Sequence, residues 1–265
     1  MNKIGIHGAP RSGTTWLANI FNSSEHVAYR QQPFFSYEFK EFLDENSKPN
    51  KINSFFTGIY ESSDDYLNQV QETKDGKIPE FTKLNSTHLV YKEVRYHYML
   101  DNLLQNSDMQ LLGIIRNPLS VLSSFFQAPA EFKSDWKMEE EWLHAKKKNI
   151  ESPQNYFGYL KWKELTMMFH DLHQKFGDRV TLITYNDLLT KTLPLVNNLF
   201  KIYGLELTKQ TLEFINKSKT SDDLSTYSVF RNKQRDDKWK DIIPEKIISS
   251  IYNDLDGTDL KKYLK

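Results

Sequence analysis

The sequence predicts a single α/β domain in which a mostly parallel central sheet is flanked by helices. Short apolar segments that suit buried strands alternate with longer segments whose apolar residues have helical spacing. A glycine-bearing turn joins the first predicted strand to the first predicted helix, which is typical of nucleotide-binding α/β domains. The length of 265 residues and the 38% share of hydrophobic residues are sufficient for one full core.

Each predicted element follows from its local pattern. Buried strands are predicted at residues 3–7, 26–30, 89–92, 111–115 and 180–184. Helices are predicted at residues 12–22, 96–105, 157–176 and 193–203. Asn117 followed by Pro118 indicates another helix start, and Gly177 and Gly204 end the last two predicted helices.

Two stretches, residues 31–87 and 128–156, have no clear sheet periodicity. We expect both to be insertions over the strand ends, where ligands bind in such folds, within one domain of residues 1–265. The first stretch is rich in aromatic residues, namely Phe34, Phe35, Tyr37, Phe39, Phe42, Phe55, Phe56 and Tyr60. We expect most of these rings to be core and a few to line a pocket.

The composition excludes several classes of function. Lys plus Arg balance Asp plus Glu at 35 each, so no global charge favours a nucleic-acid partner. The chain has no cysteine, which excludes disulfides, zinc–thiolate sites and a cysteine nucleophile. No apolar run has the length of a transmembrane segment, and residues 1–8 do not resemble a signal peptide. We therefore expect a cytoplasmic protein.

The turn after the first strand has the composition of an anion-binding loop. It runs from Gly8 to Thr15, where backbone N–H groups can surround a phosphate and the helix dipole favours negative charge. A nucleoside-triphosphate P-loop has Lys after its second glycine. Thr14 follows Gly13 here, and the basic residue is Arg11. This departure argues against an ATP or GTP enzyme and against an obligatory metal ion; the alternative is a glycine turn with a surface arginine.

This segment resembles the 5′-phosphosulfate loop of the sulfotransferase family, including its bacterial members, in which a basic residue precedes Ser-Gly-Thr-Thr. The resemblance implies a P-loop-like sulfotransferase fold and the co-substrate 3′-phosphoadenosine 5′-phosphosulfate (PAPS), which becomes adenosine 3′,5′-bisphosphate (PAP). It implies that Arg11 contacts the bridging or sulfuryl oxygens. It assigns the 5′-phosphate to Ser12, Gly13, Thr14 and Thr15.

A second segment, residues 116–125, resembles the family's 3′-phosphate motif. That motif has an arginine at a strand end and a serine eight residues later, which Arg116 and Ser124 match. An arginine offers a planar fork of N–H donors to a phosphate. Because the two motifs occur in the family's order and at a suitable distance, their combination is much more specific than either motif alone.

Weaker matches complete the nucleotide site that the resemblance implies. Trp16 corresponds to a tryptophan that stacks on adenine, with packing in the helix core as the alternative. Tyr185 corresponds to a tyrosine after the last strand that contacts adenine. Arg231, with Lys233 as the alternative, corresponds to a C-terminal clamp on the 3′-phosphate, although the family's Arg-Lys-Gly is absent.

The sequence offers residues that would stabilise the leaving phosphate, but it lacks the general base of either family branch. Arg11 and Lys92 suit stabilisation of the leaving phosphate, and Lys92 precedes Arg116 by 24 residues, which is compatible with a catalytic lysine in cytosolic sulfotransferases. The cytosolic branch has its base two residues after that lysine, where Val94 stands. The Golgi branch has a glutamate where Gln32 and Pro33 stand. Both family solutions for the general base are therefore missing.

Three other residues are candidates for the base that takes the acceptor proton. Glu93 is the first, and an ion pair with Lys92 or Arg95 is the alternative role. His97 is the second, with a solvated helix position as the alternative, and His88 is the third. We expect cationic neighbours to lower the pKa of Glu93 and burial by aromatic residues to oppose that effect.

The resemblance predicts a PAPS-dependent sulfotransferase that uses no metal and modifies a hydroxyl or amine acceptor. Residues 31–87 and 128–156 would form the acceptor side. The first expectation for the acceptor is a polysaccharide or lipid-linked sugar, and the second is a small aromatic or amine metabolite. The alternatives are a P-loop kinase or nucleotidase and a nucleotide-binding relative without activity. The absent loop lysine argues against the first, and the retained Arg11, Lys92, Arg116 and Ser124 argue against the second.

Overall fold

A computed structural model describes residues 1–220 and 236–265 of the chain. Within these residues the strands are β1 (Asn2–His7), β2 (Val27–Gln31), β3 (His88–Glu93), β4 (Gln110–Ile115) and β5 (Val180–Thr184). They form one sheet in the order β2-β3-β1-β4-β5, and every neighbouring pair is parallel. The predicted α/β class is confirmed, with a sheet that is wholly parallel.

The α-helices of the described residues cover both faces of this sheet. They are α1 (Thr14–Asn22), α2 (Pro49–Glu61), α3 (Val70–Lys74), α4 (Leu100–Asn106), α5 (Pro118–Phe126), α6 (Met138–Glu141), α7 (Lys146–Asn149), α8 (Tyr159–Phe176), α9 (Tyr185–Thr190), α10 (Thr192–Tyr203), α11 (Lys209–Thr220) and α12 (Glu245–Leu255). Short 3₁₀ helices lie at Pro33–Phe35, His97–Met99, Gly177–Arg179, Lys238–Asp241 and Asp259–Leu264.

Alternate residues of the central strands enter two separate cores. Ile4 and Ile6 of β1 pack on one face with residues of α1, α10 and α11. Leu89 and Tyr91 of β3 pack on the other face with residues of α2, α4 and α8. All four side chains are fully buried, and each such burial stabilises the fold by about 1.5–3 kcal/mol.

The stretch 31–87 differs from the sequence-based expectation, because much of it packs on the sheet instead of over the strand ends. Helix α2 carries Ile52, Phe55, Phe56 and Ile59 into the larger core. Counted from Ile52, their spacing of three, four and seven residues is that of one face of a helix, although no helix was predicted there. Helix α2 thus belongs to the crossover from β2 to β3, whereas the turn Pro33–Phe35 lies at the carboxyl end of β3, to which its backbone binds.

The carboxyl ends of the strands bring the predicted site residues to one edge of the sheet. His7 of β1 is paired with Glu93 of β3, and Ile115 of β4 with Thr184 of β5. Strands β3 and β4 lie on opposite sides of β1, so the strand order reverses at the carboxyl end of β1. A crevice at such a point is where open α/β sheets bind ligands.

Candidate active site

The loop between β1 and α1 turns through two residues in the left-handed region. Arg11 has φ 72° and Gly13 has φ 90°, and the amide of Ser12 donates to the carbonyl of Ala9 at 3.0 Å. A Cβ at Gly13 would lie 2.5 Å from Cδ2 of Tyr185, so a side chain does not fit there. Amides in such a loop, at the start of a helix, can converge on an anion.

The Arg11 side chain connects this loop to helix α5. Its Nε donates to Oγ of Ser124 at 3.0 Å and lies 3.8 Å from Oε2 of Glu131. The side chain is 15% exposed, so most of the guanidinium is covered by protein. This hydrogen bond joins the two predicted phosphate motifs in space.

Arg116 follows the end of β4, and its guanidinium has three kinds of protein contact. Its Nη1 donates to the carbonyl of Arg11 at 2.8 Å. Its Nε and Nη2 lie 2.7 and 2.6 Å from Oδ1 of Asp236. The ring of Tyr185 lies against it, with the ring centroid 4.3 Å from Cζ. Arg116 therefore lies directly beside the loop, and a carboxylate contacts its fork.

Two aromatic residues border the loop on the other side. Tyr185 begins α9, and its ring lies between Gly13 and the Arg116 guanidinium. Trp16 is 5% exposed, and its indole N–H donates to Oγ of Ser218 at 3.0 Å. The Trp16 ring packs in the core as the alternative interpretation expected, and its contact with adenine stays a prediction, like that of Tyr185.

The hydroxyl of Ser12 is available to bind a ligand. Its Oγ is buried, and it has no hydrogen-bond partner in the part of the chain that the structure describes. A buried hydroxyl without a partner costs about 1–3 kcal/mol. An anion in the loop would supply the missing partner.

Lys92 lies on the side of β3 that faces the loop. Its side chain is 3% exposed, and Nζ donates to Oγ1 of Thr15 at the long distance of 3.5 Å. Burial lowers the pKa of Lys92 to about 8, although the carboxylates of Glu93 and Glu131 oppose that change. A partly desolvated ammonium group is strongly attracted to any anion that binds in the loop.

Glu93 points to the opposite side of β3 and is completely buried. Its Oε1 accepts from the backbone amide of Phe34 at 2.9 Å, whereas Oε2 has no hydrogen-bond partner among the described residues. Burial raises the pKa of Glu93 to about 8 and outweighs the opposing effects of that hydrogen bond, Lys92 and Arg95. Desolvation thus has a larger effect on the pKa of Glu93 than its cationic neighbours have.

His97 lies in the core and not at a solvated helix position, so that alternative is wrong. Its Nδ1 is 3.0 Å from Nδ1 of His7, and burial lowers the pKa of His97 to about 3. His7, at the end of β1, has its Nε2 3.3 Å from the hydroxyl of Tyr91, so both of its ring nitrogens have a partner in the core. His88 is also buried and lies near the carbonyl of Tyr203, at the start of β3.

The side of the site beyond Glu93 has an exposed aromatic ring and an arginine. Phe35 is 45% exposed, and Cζ of Arg95 lies 4.2 Å from its ring centroid. The amide of Tyr96 donates to the carbonyl of Gln154 at 3.0 Å. Residues of the two stretches without sheet periodicity therefore contact the same segment, Arg95 and Tyr96, at this edge.

Arg231 and Lys233 lie outside the described residues. Glu131 and Asp236, which contact Arg11 and Arg116, were not identified from the sequence. An acidic residue far along the chain gives no local signal of its partner, so charge complementarity to each arginine was the only available indication.

Two kinds of feature are absent from the described residues. No group of three or more His, Cys, Asp or Glu side chains there is arranged to hold a metal ion. None of the helices there is long and apolar enough to cross a membrane.

Comparison with known proteins assigns the family. Residues 2–257 match the family model described as a sulfotransferase domain. The chain belongs to the sulfotransferase family. Its activity is the transfer of a sulfuryl group. Lys92 and Arg116 both contact the loop between β1 and α1. No curated protein is significantly similar in sequence.

Solved structures show that the fold is that of sulfotransferases. Mouse sulfotransferase SULT7A1 in complex with PAP is 12% identical, with a TM-score of 0.56 over 100% of this chain and 90% of that chain. Retinol dehydratase with androsterone and PAP is 15% identical, with a TM-score of 0.56 over 97% and 82%. The sulfotransferase domain of the Synechococcus PCC 7002 olefin synthase is 15% identical, with a TM-score of 0.50 over 92% and 89%.

Proposed function

We propose that this sulfotransferase takes its sulfuryl group from PAPS and releases PAP. The observation that carries the proposal is the direct contact between the two phosphate motifs. Arg11 donates to Ser124, and Arg116 donates to the carbonyl of Arg11. One nucleotide with a 5′- and a 3′-phosphate is the ligand that two adjacent anion sites of this kind suit. PAP in the mouse SULT7A1 and retinol dehydratase structures supports the same choice.

The loop residues would hold the 5′-phosphosulfate. Ser12 has a buried hydroxyl without a partner among the described residues, and α1, a helix start of the kind that binds anions, begins two residues later. Arg116, Ser124 and Tyr185 would contact the 3′-phosphate and the adenosine, because all three border the loop. The side chains of this set are cationic and polar, and they need no metal ion to neutralise the phosphates.

Transfer would proceed by attack of an acceptor oxygen on sulfur. A bond forms between that oxygen and sulfur, the bond between sulfur and the bridging phosphate oxygen breaks, and the electron pair stays on PAP. Arg11 and Lys92 would stabilise this developing charge, since both lie beside the loop. The acceptor proton passes to a base, and the products are PAP and a sulfate ester.

Glu93 is the base that we propose. Its pKa of about 8 lies close to neutral pH, where a general base is most effective, and Oε2 has no other partner among the described residues. His97 is a weaker candidate because its pKa is about 3 and its Nδ1 contacts His7. Since Glu93 is covered by the turn Pro33–Phe35, acceptor entry would require that turn to move aside.

The acceptor that we propose is a hydroxyl or amine compound bound over the turn Pro33–Phe35. A glycan is the first choice, and a small aromatic or amine metabolite is the second. The exposed ring of Phe35 and the guanidinium of Arg95 offer a flat face with an adjacent cation. Both kinds of acceptor have a face that can pack on an aromatic ring. We propose the cytosol as the compartment, because PAPS is made there.

The test is transfer of label from sulfur-35 PAPS to a panel of glycans, phenols and amines, with metal chelated. We expect labelled product with the wild-type enzyme and a rate about 10²–10⁴ lower with Glu93→Gln. His97→Asn is the matched comparison, because it changes the second candidate base. If Glu93→Gln keeps normal turnover and His97→Asn loses it, the base is His97. If both variants keep normal turnover, the base is another residue or a group of the acceptor itself. Transfer of phosphate from ATP in place of sulfur would contradict the proposal.

A further inference from the structure

A carboxylate occupies the part of Arg116 that would bind a phosphate. Nε donates to Oδ1 of Asp236 at 2.7 Å, and Nη2 lies 2.6 Å from the same oxygen. These two nitrogens form the fork with which an arginine binds an oxyanion. Asp236 therefore occupies the place on this fork that an anionic ligand group would take.

The pair is covered and anchored. The side chains of Arg116 and Asp236 are 15% and 14% exposed, so solvent screens their attraction little. The carbonyl of Asp236 also accepts from Oγ of Ser120 at 2.6 Å, in the first turn of α5. The main chain at Asp236 is thus fixed beside Arg116 by a contact that does not involve the carboxylate.

We propose that Asp236 competes with the 3′-phosphate of the nucleotide for Arg116, and that its return to Arg116 accelerates release of PAP. This inference rests on the proposed function. A carboxylate and a phosphate dianion cannot both lie at hydrogen-bond distance from one fork without strong repulsion. Binding of the 3′-phosphate therefore displaces Asp236, and dissociation of the phosphate allows the internal pair to form again.

The competition has a defined consequence for affinity and rate. Any ligand that binds through Arg116 must first break the internal ion pair, so its observed affinity is lower than the site would otherwise allow. A nucleotide that lacks a 3′-phosphate leaves the pair intact, so its affinity does not depend on Asp236. Fast release of the product would help turnover in an enzyme whose donor and product share the same 3′-phosphate.

The experiment compares PAP and AMP binding by titration calorimetry and PAP dissociation by stopped flow. Asp236→Asn removes the charge and leaves the backbone contact to Ser120 unchanged. We expect it to bind PAP about tenfold or more tightly, to release PAP more slowly by a similar factor, and to bind AMP as the wild type does. Asp241→Asn is the control, because Asp241 is exposed in the same segment and loses the same charge.

Several results would overturn the inference. Weaker PAP binding by Asp236→Asn would mean that Asp236 orients Arg116 for the phosphate, and equal binding would mean that the two anions do not compete. If Asp236→Asn also bound AMP more tightly, or if Asp241→Asn bound PAP more tightly by the same factor, the higher affinity would come from the change in net charge and not from competition at Arg116. Asp236→Ala provides a second variant should Asp236→Asn fold poorly. Failure of every protein, wild type included, to bind PAP would overturn the proposed function itself.

Discussion

Replacing Glu93 with glutamine is expected to make the protein more stable and nearly inactive. Glu93 is fully buried, its Oε1 accepts from the amide of Phe34, and burial raises its pKa to about 8. Glutamine has the same shape, and its carbonyl oxygen can accept the same hydrogen bond. The substitution therefore removes only the ability to ionise, which is the property that a base requires and that burial opposes.

The size of the stability gain follows from the pKa. At pH 7 the unfolded chain has an ionised Glu93, with the usual value of 4.5, whereas the folded chain holds this carboxyl mostly protonated at a pKa of about 8. Folding then takes up a proton, at a cost of about 1.4 kcal/mol for each pH unit above the unfolded value. This cost is absent below pH 4.5, grows as the pH rises and stops growing above pH 8. Glutamine avoids it, so the interval from pH 4.5 to pH 7 corresponds to a gain of about 3 kcal/mol at pH 7.

The assay is urea denaturation of the wild type and Glu93→Gln between pH 4.5 and pH 8.5. We expect equal free energies of unfolding at pH 4.5 and an increasing advantage for the variant above it. Glu139→Gln is the control, because Glu139 is exposed and the chemical change is the same. In the wild type the turnover rate should rise with pH toward a midpoint near 8, the pKa of Glu93, and this limb should disappear in Glu93→Gln.

Two results would refute this reasoning. A stability difference that does not change with pH would mean that the Glu93 carboxyl is not desolvated as its burial indicates. A variant that is more stable and fully active would mean that Glu93 is buried for a structural reason and that the base lies elsewhere.

Three further predictions concern the loop, the second phosphate motif and the histidine pair. Gly13→Ala places a Cβ 2.5 Å from the ring of Tyr185 at a φ of 90°, so PAP should cause no shift in its melting temperature. Arg116→Ala should weaken PAP binding by about 2–4 kcal/mol in calorimetry, while its circular dichroism spectrum stays that of the wild type. His7 and His97 are held neutral, with pKa values below the usual 6.5, so the free energy of unfolding should fall as the pH drops from 6.5 toward 3. His97→Gln should reduce that slope, and an unchanged slope would contradict the assignment.

Local patterns were sufficient for the strands and for the donor loop. Each strand is a short apolar run, and the turn at Gly13 has a backbone conformation that favours glycine, so both have signatures within a few residues. The helix at residues 49–61 was missed because its apolar spacing is embedded in a stretch rich in aromatic residues. Its four buried side chains show that the pattern was nevertheless helical.

The properties of the candidate base depend on packing that no local pattern contains. The pKa of Glu93 reflects the balance between desolvation and the charges of Lys92 and Arg95, and only the fold shows that its carboxyl is fully covered. His97 follows Tyr96, which has φ 56°, and this turn directs the histidine into the core instead of into solvent. Asp236 meets Arg116 across 120 positions of sequence, so its contact could not be derived from either motif.

The measurement that tests the central claim most directly compares PAP with AMP in titration calorimetry on the wild-type protein, with metal chelated. If one nucleotide spans the Arg11 loop and Arg116, PAP should bind at least about tenfold more tightly than AMP, because only PAP gains the charge-assisted contact to the Arg116 fork. Equal affinity for PAP and AMP would mean that Arg116 and Ser124 do not bind a 3′-phosphate, and it would contradict PAPS as the donor.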